Sequence, residues 1–382
     1  MSELEYTEHG WRMTLDTKRH HRERAWDYKG RGIYHITLVV AERYPLFGEL
    51  AGDSPEEAHI VLNTFGKEVL DILQSVPRYR KTKGYELKLL ASQIMPDHIH
   101  FAIQVLEPLP QSIGRVIRGF KSACTSLYKN TYAATGGNHA AEVHDDPSSR
   151  TSDDRIVHFS RMFTRTGSIW QPDIAGYHER ILHRDGQLEA MINYIKDNPR
   201  RLWLKRANPD LFRIHQRTDI AGVTCTTLGN MFLAEYPQRE PLQCSRTLTQ
   251  AEIDTRREEC LANAENGTVY VSAAISEGEK QICRALREAG YPLIILLNEG
   301  FPAPDSPHYR FYKPHGVYFE ACAAERLLLI EPADELFERP EIEAQVYAKT
   351  GIIPHTSQRY RFLALNALSM LVSTHSTRFR MS

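Results

Sequence analysis

The strongest constraint in this 382-residue chain is a pair of short aliphatic runs, ELKLLASQI (86–94) and HIHFAIQV (98–105), with only Met95-Pro96-Asp97 between them. So short a link allows an antiparallel hairpin and excludes a parallel pair, which needs a crossover of about a dozen residues or more. IYHITLVV (33–40) upstream predicts a further strand. Ser54-Pro55-Glu56-Glu57 then predicts a helix start, with Ser54 as N-cap, Pro55 in the first turn and Glu57 completing a capping box, running to about residue 76. After Pro110, Ile113, Val116, Ile117 and Phe120 recur at helical spacing while Arg115, Arg118 and Lys121 take the other face. A last helix is expected over 186–198 from Leu188, Met191, Ile192 and Ile195, stopped or bent by Pro199. Strand, helix, strand, strand, helix is the order of a ferredoxin-like α+β domain, an antiparallel sheet with helices on one face followed by an extra helix. Residues 135–160, rich in Gly, Ser, Asp and His, read as an insertion loop.

The pattern changes near residue 222. TVYVSAAI (268–275), PLIILLNEG (292–300) and RLLLIEP (326–332) are continuous apolar runs of the doubly buried, parallel type, interrupted by the helix pattern SEGEKQICRALREAG. The expected organisation is a basic amino-terminal arm (1–27, with its basic run at 18–31), an α+β domain over 28–215, and a smaller α/β Rossmann-like domain over 222–382 that closes with a helix near 358–372. The arm is either a phosphate contact or a solvated tail. With 42% hydrophobic and 25% charged residues the chain is of globular type. No apolar run approaches membrane-spanning length and the amino terminus is acidic and polar, so a cytoplasmic protein without membrane association is expected. The six cysteines show no metal or redox spacing. A net charge of −1 supplies no global attraction to nucleic acid, so any such partner must be met by local basic clusters.

Two residues apart on a strand, His98 and His100 face the same side and can ligate one metal ion. Standing alone, such a pair is more often structural. Tyr194 and Asn198 lie four apart on the last helix and therefore on one face of it. Two imidazoles and an amide oxygen suit Mg²⁺ or Mn²⁺, leaving positions for a phosphate that Tyr194 could attack. The alternative for Tyr194 is an amphipathic-helix residue with its ring in the core.

MPDHIHFAI (95–103), GRVIRGFKS (114–122), SIWQPDIAGYHERIL (168–182) and NYIKDNPRR (193–201) resemble, in order and spacing, the successive motifs of REP-associated tyrosine transposases, a branch of the single-tyrosine HUH transposases. The resemblance covers roughly 28–213. It implies an HUH fold, His98 and His100 as metal ligands, Tyr194 as the nucleophile that forms a 5′-phosphotyrosine link, and single-stranded, hairpin-forming DNA as substrate; a homodimer and a monomer are both open. Two departures stand out. The family's common asparagine before the first histidine is Asp97 here, read as a turn residue or as added charge near the metal. The family's W-Q-x-G-Y-x-D-R stretch is lengthened, with Glu179 in place of the aspartate.

DNA contacts are expected from Arg115, Arg118 and Lys121, from Glu179, and from Lys196, Arg200, Arg201, Lys205 and Arg206 beyond the tyrosine; a solvated charged face is the alternative. Trp170, Tyr177 and Trp203 are candidates for stacking on bases or for core packing. In the second domain, LQCSR (242–246) and the segment from Gly267 to Phe301 resemble DNA-processing protein A-like folds, which implies phosphate binding at the amides of Ser272, Ala273, Ala274 and the following helix. A purely structural module is the other reading. A non-catalytic single-stranded DNA-binding regulator and a zinc hydrolase are the rivals to a strand transferase. The hydrolase needs a third ligand that the sequence does not offer. The regulator is disfavoured because His98, His100, Tyr194 and Asn198 are all present.

Overall fold

The computed structural model describes residues 4–7, 10–13, 26–82, 84–133, 152–171, 177–304, 312, 314, 316–351 and 358–374. Much of the basic arm, most of the expected insertion loop, and residues 172–176 of the altered motif lie outside them. The chain divides into two compact units, 1–203 and 204–382. This division falls earlier than the expected change at 215–222, because the hairpin at 215–229 pairs into the second sheet.

The first unit begins with a hairpin of β1 (Leu4–Thr7) and β2 (Gly10–Met13). β3 (Gly32–Val39) follows, then a second hairpin, β4 (Gly48–Ala51) with β5 (His59–Leu62). That hairpin corrects the helix expected from Ser54. The Ser54 hydroxyl does accept from Glu57 N at 3.3 Å, but the bond closes a turn. The helix α1 (Thr64–Thr82) starts ten residues later, where the Asn63 side chain accepts from Gly66 N at 2.8 Å and donates to Leu46 O at 3.0 Å. At Gly66 a Cβ would sit 2.1 Å from Phe47 O, so only glycine lets helix and hairpin close.

β6 (Leu87–Ile94) and β7 (His98–Val105) form the hairpin read from the sequence. α2 (Ile113–Tyr128), α3 (Ser152–His158), α4 (Ser160–Thr166), β8 (His178–Ile181) and α5 (Gln187–Ala207) complete the unit. The four-stranded sheet runs β6-β7-β3-β8, antiparallel throughout. Its register sorts the side chains cleanly. Ile36 and Leu38 stand opposite Phe101 and Ile99 and are buried with Phe65, Val69 and Leu73 of α1 and Val116, Ile117 and Phe120 of α2. His35, Thr37, His98 and His100 alternate with them and point to the other face.

α5 does not stop at Pro199 but continues through it for 21 residues in all. Proline has no N–H for the carbonyl four residues back, and Asn198 Nδ2 takes that place, reaching Ile195 O at 3.4 Å and Tyr194 O at 2.7 Å. A local side-chain donor thus repairs the break the sequence announces.

The second unit contains β9 (His215–Ile220), β10 (Val223–Gly229), β11 (Arg239–Pro241), α6 (Gln250–Glu265), β12 (Val269–Ser272), α7 (Glu277–Glu288), β13 (Leu293–Leu296), α8 (Gly316–Ala323), β14 (Leu327–Pro332), α9 (Pro340–Thr350) and α10 (Gln358–Thr374). The sheet order is β11-β12-β13-β14-β10-β9, with the first four strands parallel. One face packs on α9 and α10 through Ile342, Val346, Leu365 and Leu368, and the other on α6, α7 and α8 through Cys260, Ile282, Leu286 and Phe319. Because the parallel strands follow in sequence order, no reversal opens the crevice where α/β sheets usually take a ligand.

Candidate active site

His98 and His100 leave the turn Met95-Pro96-Asp97 on the first and third positions of β7 and are 7% and 5% exposed. Their ring centroids are 4.8 Å apart at 88°. Tyr194 on α5 brings its ring to 5.6 Å from that of His100. Asn198, one turn on, is buried, and among the described residues its Oδ1 has no hydrogen-bond partner. His98, His100 and Tyr194 therefore come together on the sheet face opposite α1 and α2, with Asn198 one turn along α5 from Tyr194.

Three further residues, not singled out by the sequence, complete the cluster. His35 Nε2 lies 3.2 Å and Thr37 Oγ1 3.0 Å from His100 Nδ1. On the other side His98 Nδ1 is 2.5 Å from Asp97 Oδ1, while Asp97 Oδ2 accepts from Arg43 Nη1 at 3.1 Å. Of the two readings of Asp97, turn residue or added charge, the contact with His98 favours the second. Burial pushes its carboxyl up, but His98 and Arg43 outweigh that and hold it well below the carboxylate range. Arg43 is delivered by a turn in which Glu42 and Arg43 both adopt left-handed backbone, at φ 55° and 52°. Two consecutive non-glycine residues there are uncommon and store strain of about 1–3 kcal/mol each.

Tyr194 carries no structural bond through its hydroxyl: among the described residues the hydroxyl has no hydrogen-bond partner, while the ring is flanked by His100, by His35 at 6.3 Å and by the Arg201 guanidinium at 5.6 Å. Burial raises the phenol's pKa, and Arg201 and Arg43 act against that rise. His35 is lowered to about 4, chiefly by burial and then by Arg180. Since the folded value lies below the free value of 6.5, His35 contributes stability that is present above pH 6.5 and is lost as the pH falls towards 4. The shift corresponds to about 3 kcal/mol. Amide-exchange protection of β3 and β7 in metal-free protein is expected to weaken across that window, and His35→Gln to flatten the trend; equal slopes in the two proteins would refute it.

The basic residues do not all gather at this centre. Arg201 is buried beside Tyr194. Arg200 is paired with Asp197 at 2.6 Å, Lys205 donates to Tyr312 O at 3.1 Å, and Lys196 and Arg206 are exposed. Arg115 and Arg118 lie on α2, in the layer across the sheet from the histidines, and line an open cleft of about 620 Å³ with Tyr85, Gln111, Ser112 and Ser122. Lys121 is half-buried on the same helix. Glu179 stands opposite Ile36 in the register and so points away from the histidine face. The sheet thus lies between the histidine face and the α2 residues from which DNA contacts are expected. Trp170 and Tyr177 are buried in the first unit's core, with Trp170 Nε1 donating to Lys121 O at 3.0 Å, and Trp203 Nε1 donates to Gly52 O at 3.0 Å. Packing, not base stacking, accounts for the first two.

Around the turn where phosphate binding is expected, at Ser272, Ala273 and Ala274, several amides already have partners. Ile275 N and Cys244 N donate to the Glu279 carboxylate at 2.7 and 3.0 Å, Ser276 N reaches it at 3.4 Å, and Ala274 N donates to Ser272 Oγ at 3.1 Å. The amides of Ala274, Ile275 and Ser276 are thus engaged by side chains of the chain itself.

Among the described residues no group of three or more His, Cys, Asp or Glu side chains could hold a metal ion, and no helix is long and apolar enough to cross a membrane. A mixed His/Asn set is the donor arrangement that does fit a cation. The buried, unpartnered Asn198 oxygen is the observation for it, because such an acceptor costs about 1–3 kcal/mol unless something meets it.

No family model matches the chain. An uncharacterised protein of Haemophilus influenzae is 22% identical over 204 residues, covering 47% of this chain and 89% of that one. Among solved structures, a candidate transposase from Deinococcus radiodurans R1 matches 47% of this chain and 96% of its own at 14% identity and a TM-score of 0.23. A REP-associated tyrosine transposase bound to a REP hairpin matches 47% and 72% at 14% identity and a TM-score of 0.20. DNA processing protein A from Helicobacter pylori, described by its single-stranded DNA binding mode, matches 42% and 66% at 18% identity and a TM-score of 0.28. At these TM-scores none of them decides the fold or the function of this chain.

Proposed function

We propose that the first unit is a metal-dependent, single-tyrosine DNA strand transferase that cleaves and rejoins single-stranded, hairpin-forming DNA. The observation that carries this reading is the meeting of His98, His100 and Tyr194 on one face of the sheet, with the buried, unpartnered Asn198 oxygen one turn along the helix from Tyr194. The sheet order β6-β7-β3-β8 also agrees with a ferredoxin-like HUH scaffold. His98, His100 and Asn198 would hold Mg²⁺ or Mn²⁺. Such an ion, when bound, polarises a phosphoryl oxygen and offsets its negative charge.

The chain's own residues do the rest. Tyr194 Oη forms a bond to phosphorus as the bond from phosphorus to the 3′ oxygen breaks; the phenol gives up its proton and the departing 3′ oxygen takes one up. The 5′-phosphotyrosine ester conserves the bond energy, so a second 3′-hydroxyl can reverse the step. Arg201 places positive charge where the phenolate and the phosphate meet. With no hydroxyl partner among the described residues, Oη is available for attack.

The test is incubation of end-labelled single-stranded hairpins with Mg²⁺ or Mn²⁺, read on denaturing gels. A shifted protein–DNA band that requires metal and His98 supports strand transfer; tight hairpin binding with no covalent band under any condition supports a binding regulator instead. Arg115 and Arg118 serve a separate purpose in this reading, as phosphate contacts remote from the chemistry. Replacing each by alanine is expected to reduce the salt slope of hairpin binding by about one and to leave Mn²⁺ affinity unchanged. An unaltered slope would take the cleft off the DNA path.

A further inference from the structure

Both candidate metal ligands are held from behind, by different partners and from different elements. His98 Nδ1 meets Asp97 Oδ1 at 2.5 Å, and Asp97 is fixed in turn by Arg43 at 3.1 Å. His100 Nδ1 meets Thr37 Oγ1 at 3.0 Å and His35 Nε2 at 3.2 Å. Thr37 stands directly opposite His100 in the β3–β7 register and His35 is two residues before it, so these contacts are set by strand pairing and not by loop placement. Arg43 reaches Asp97 only because the turn after β3 takes two left-handed residues in succession. In each contact a neutral imidazole that donates from Nδ1 presents its other nitrogen, Nε2, as the lone-pair donor. The two rings stand 4.8 Å apart, centroid to centroid, and nearly perpendicular at 88°.

We propose that Asp97, braced by Arg43, and His35 with Thr37 are positioning residues that lock His98 and His100 in the Nδ1–H tautomer, so that this chain presets its metal site before the ion arrives. This rests on the reading of His98 and His100 as metal ligands. Partners behind a metal-binding histidine set its tautomer and ring orientation, and losing one typically weakens metal affinity about 10–100-fold. Asp97 is the informative position. Its asparagine variant keeps an oxygen that can accept from Nδ1–H but loses the charge paired with Arg43, whereas alanine loses the acceptor.

The experiment uses the full chain. Ring ¹⁵N spectra of metal-free wild type, Asp97→Ala, Asp97→Asn and the double variant His35→Leu/Thr37→Val report the tautomers, and Mn²⁺ titration followed by electron paramagnetic resonance reports affinity; thermal melting confirms that each variant is folded. Wild type is expected to show Nδ1–H at both histidines. Asp97→Ala is expected to shift His98 alone to Nε2–H and weaken Mn²⁺ binding about 10–100-fold, Asp97→Asn to recover most of that loss, and the double variant to shift His100 alone. Wild-type tautomers and affinity within twofold in Asp97→Ala and in the double variant would overturn the proposal. Should His98→Ala abolish Mn²⁺ binding while Asp97→Ala does not, positioning fails and the metal reading stands. Should the wild type show both Nδ1–H tautomers, lost as expected in the variants, yet bind no Mn²⁺, the metal reading fails and the positioning stands.

Discussion

Tyr194→Phe is expected to abolish the covalent protein–DNA product, by on the order of 10⁴-fold or more, while hairpin affinity, Mn²⁺ affinity and melting temperature change little. The separation follows from how the side chain is held. The ring is placed by the imidazoles of His35 and His100 and by the Arg201 guanidinium, and phenylalanine keeps the ring. The hydroxyl bonds to no described residue, so its removal breaks no contact that supports the fold. A nucleophile cannot be replaced by its neighbours, since no other hydroxyl is co-presented with Asn198 on α5 at helical spacing. Gel assays beside filter binding check this; residual covalent product above a thousandth of wild type would move the nucleophile elsewhere.

Glu279→Ala should damage the second unit severely. The Glu279 side chain, 1% exposed, accepts from Cys244 N and Ile275 N at 3.0 and 2.7 Å and also completes the capping box that Ser276 begins at α7. Alanine leaves these buried donors without an acceptor and frays the helix start. Hydrogen bonds to a charged group are worth about 1.5–3 kcal/mol each, so a loss of roughly 3–5 kcal/mol is expected. Hydrogen exchange read by mass spectrometry should show lost protection through β12 and α7, with β6 and β7 of the first unit unaffected. Glu279→Gln, retaining one acceptor oxygen, should lose less. Wild-type protection in the alanine variant would show that the turn's amides find other partners, and would reopen the turn to an external anion.

The parts of this structure that were legible in the sequence are those written in local pattern. The three-residue link fixed the β6–β7 hairpin, and the apolar periodicity of Ile113, Val116, Ile117 and Phe120 placed α2 and its buried face. His98, His100, Tyr194 and Asn198 were legible because strand and helix periods bring each pair to one face. What stayed hidden depends on contacts between distant segments. Ser54 has the residues of a helix cap, yet Asn63 does the capping, because the intervening chain pairs as β4 and β5. His35 and Thr37 share the parity of the two histidines, but only the β3–β7 register sets Thr37 opposite His100. Arg43 arrives through left-handed backbone at residues with no glycine to announce it. Glu279 sits in a helix pattern that gives no sign of its reach to Cys244, which depends on β11 lying beside β12. At Pro199 the stop does not occur, since the neighbouring Asn198 side chain supplies the missing donor.

The central claim, that Tyr194 becomes covalently joined to DNA, is tested most directly by digesting the gel-purified protein–DNA band with trypsin and nuclease and locating the modification by mass spectrometry. A nucleotide 5′-phosphate on the Tyr194 hydroxyl is the expected result. Cleavage that yields free DNA ends with no modified peptide, or an adduct on any other residue, would contradict it.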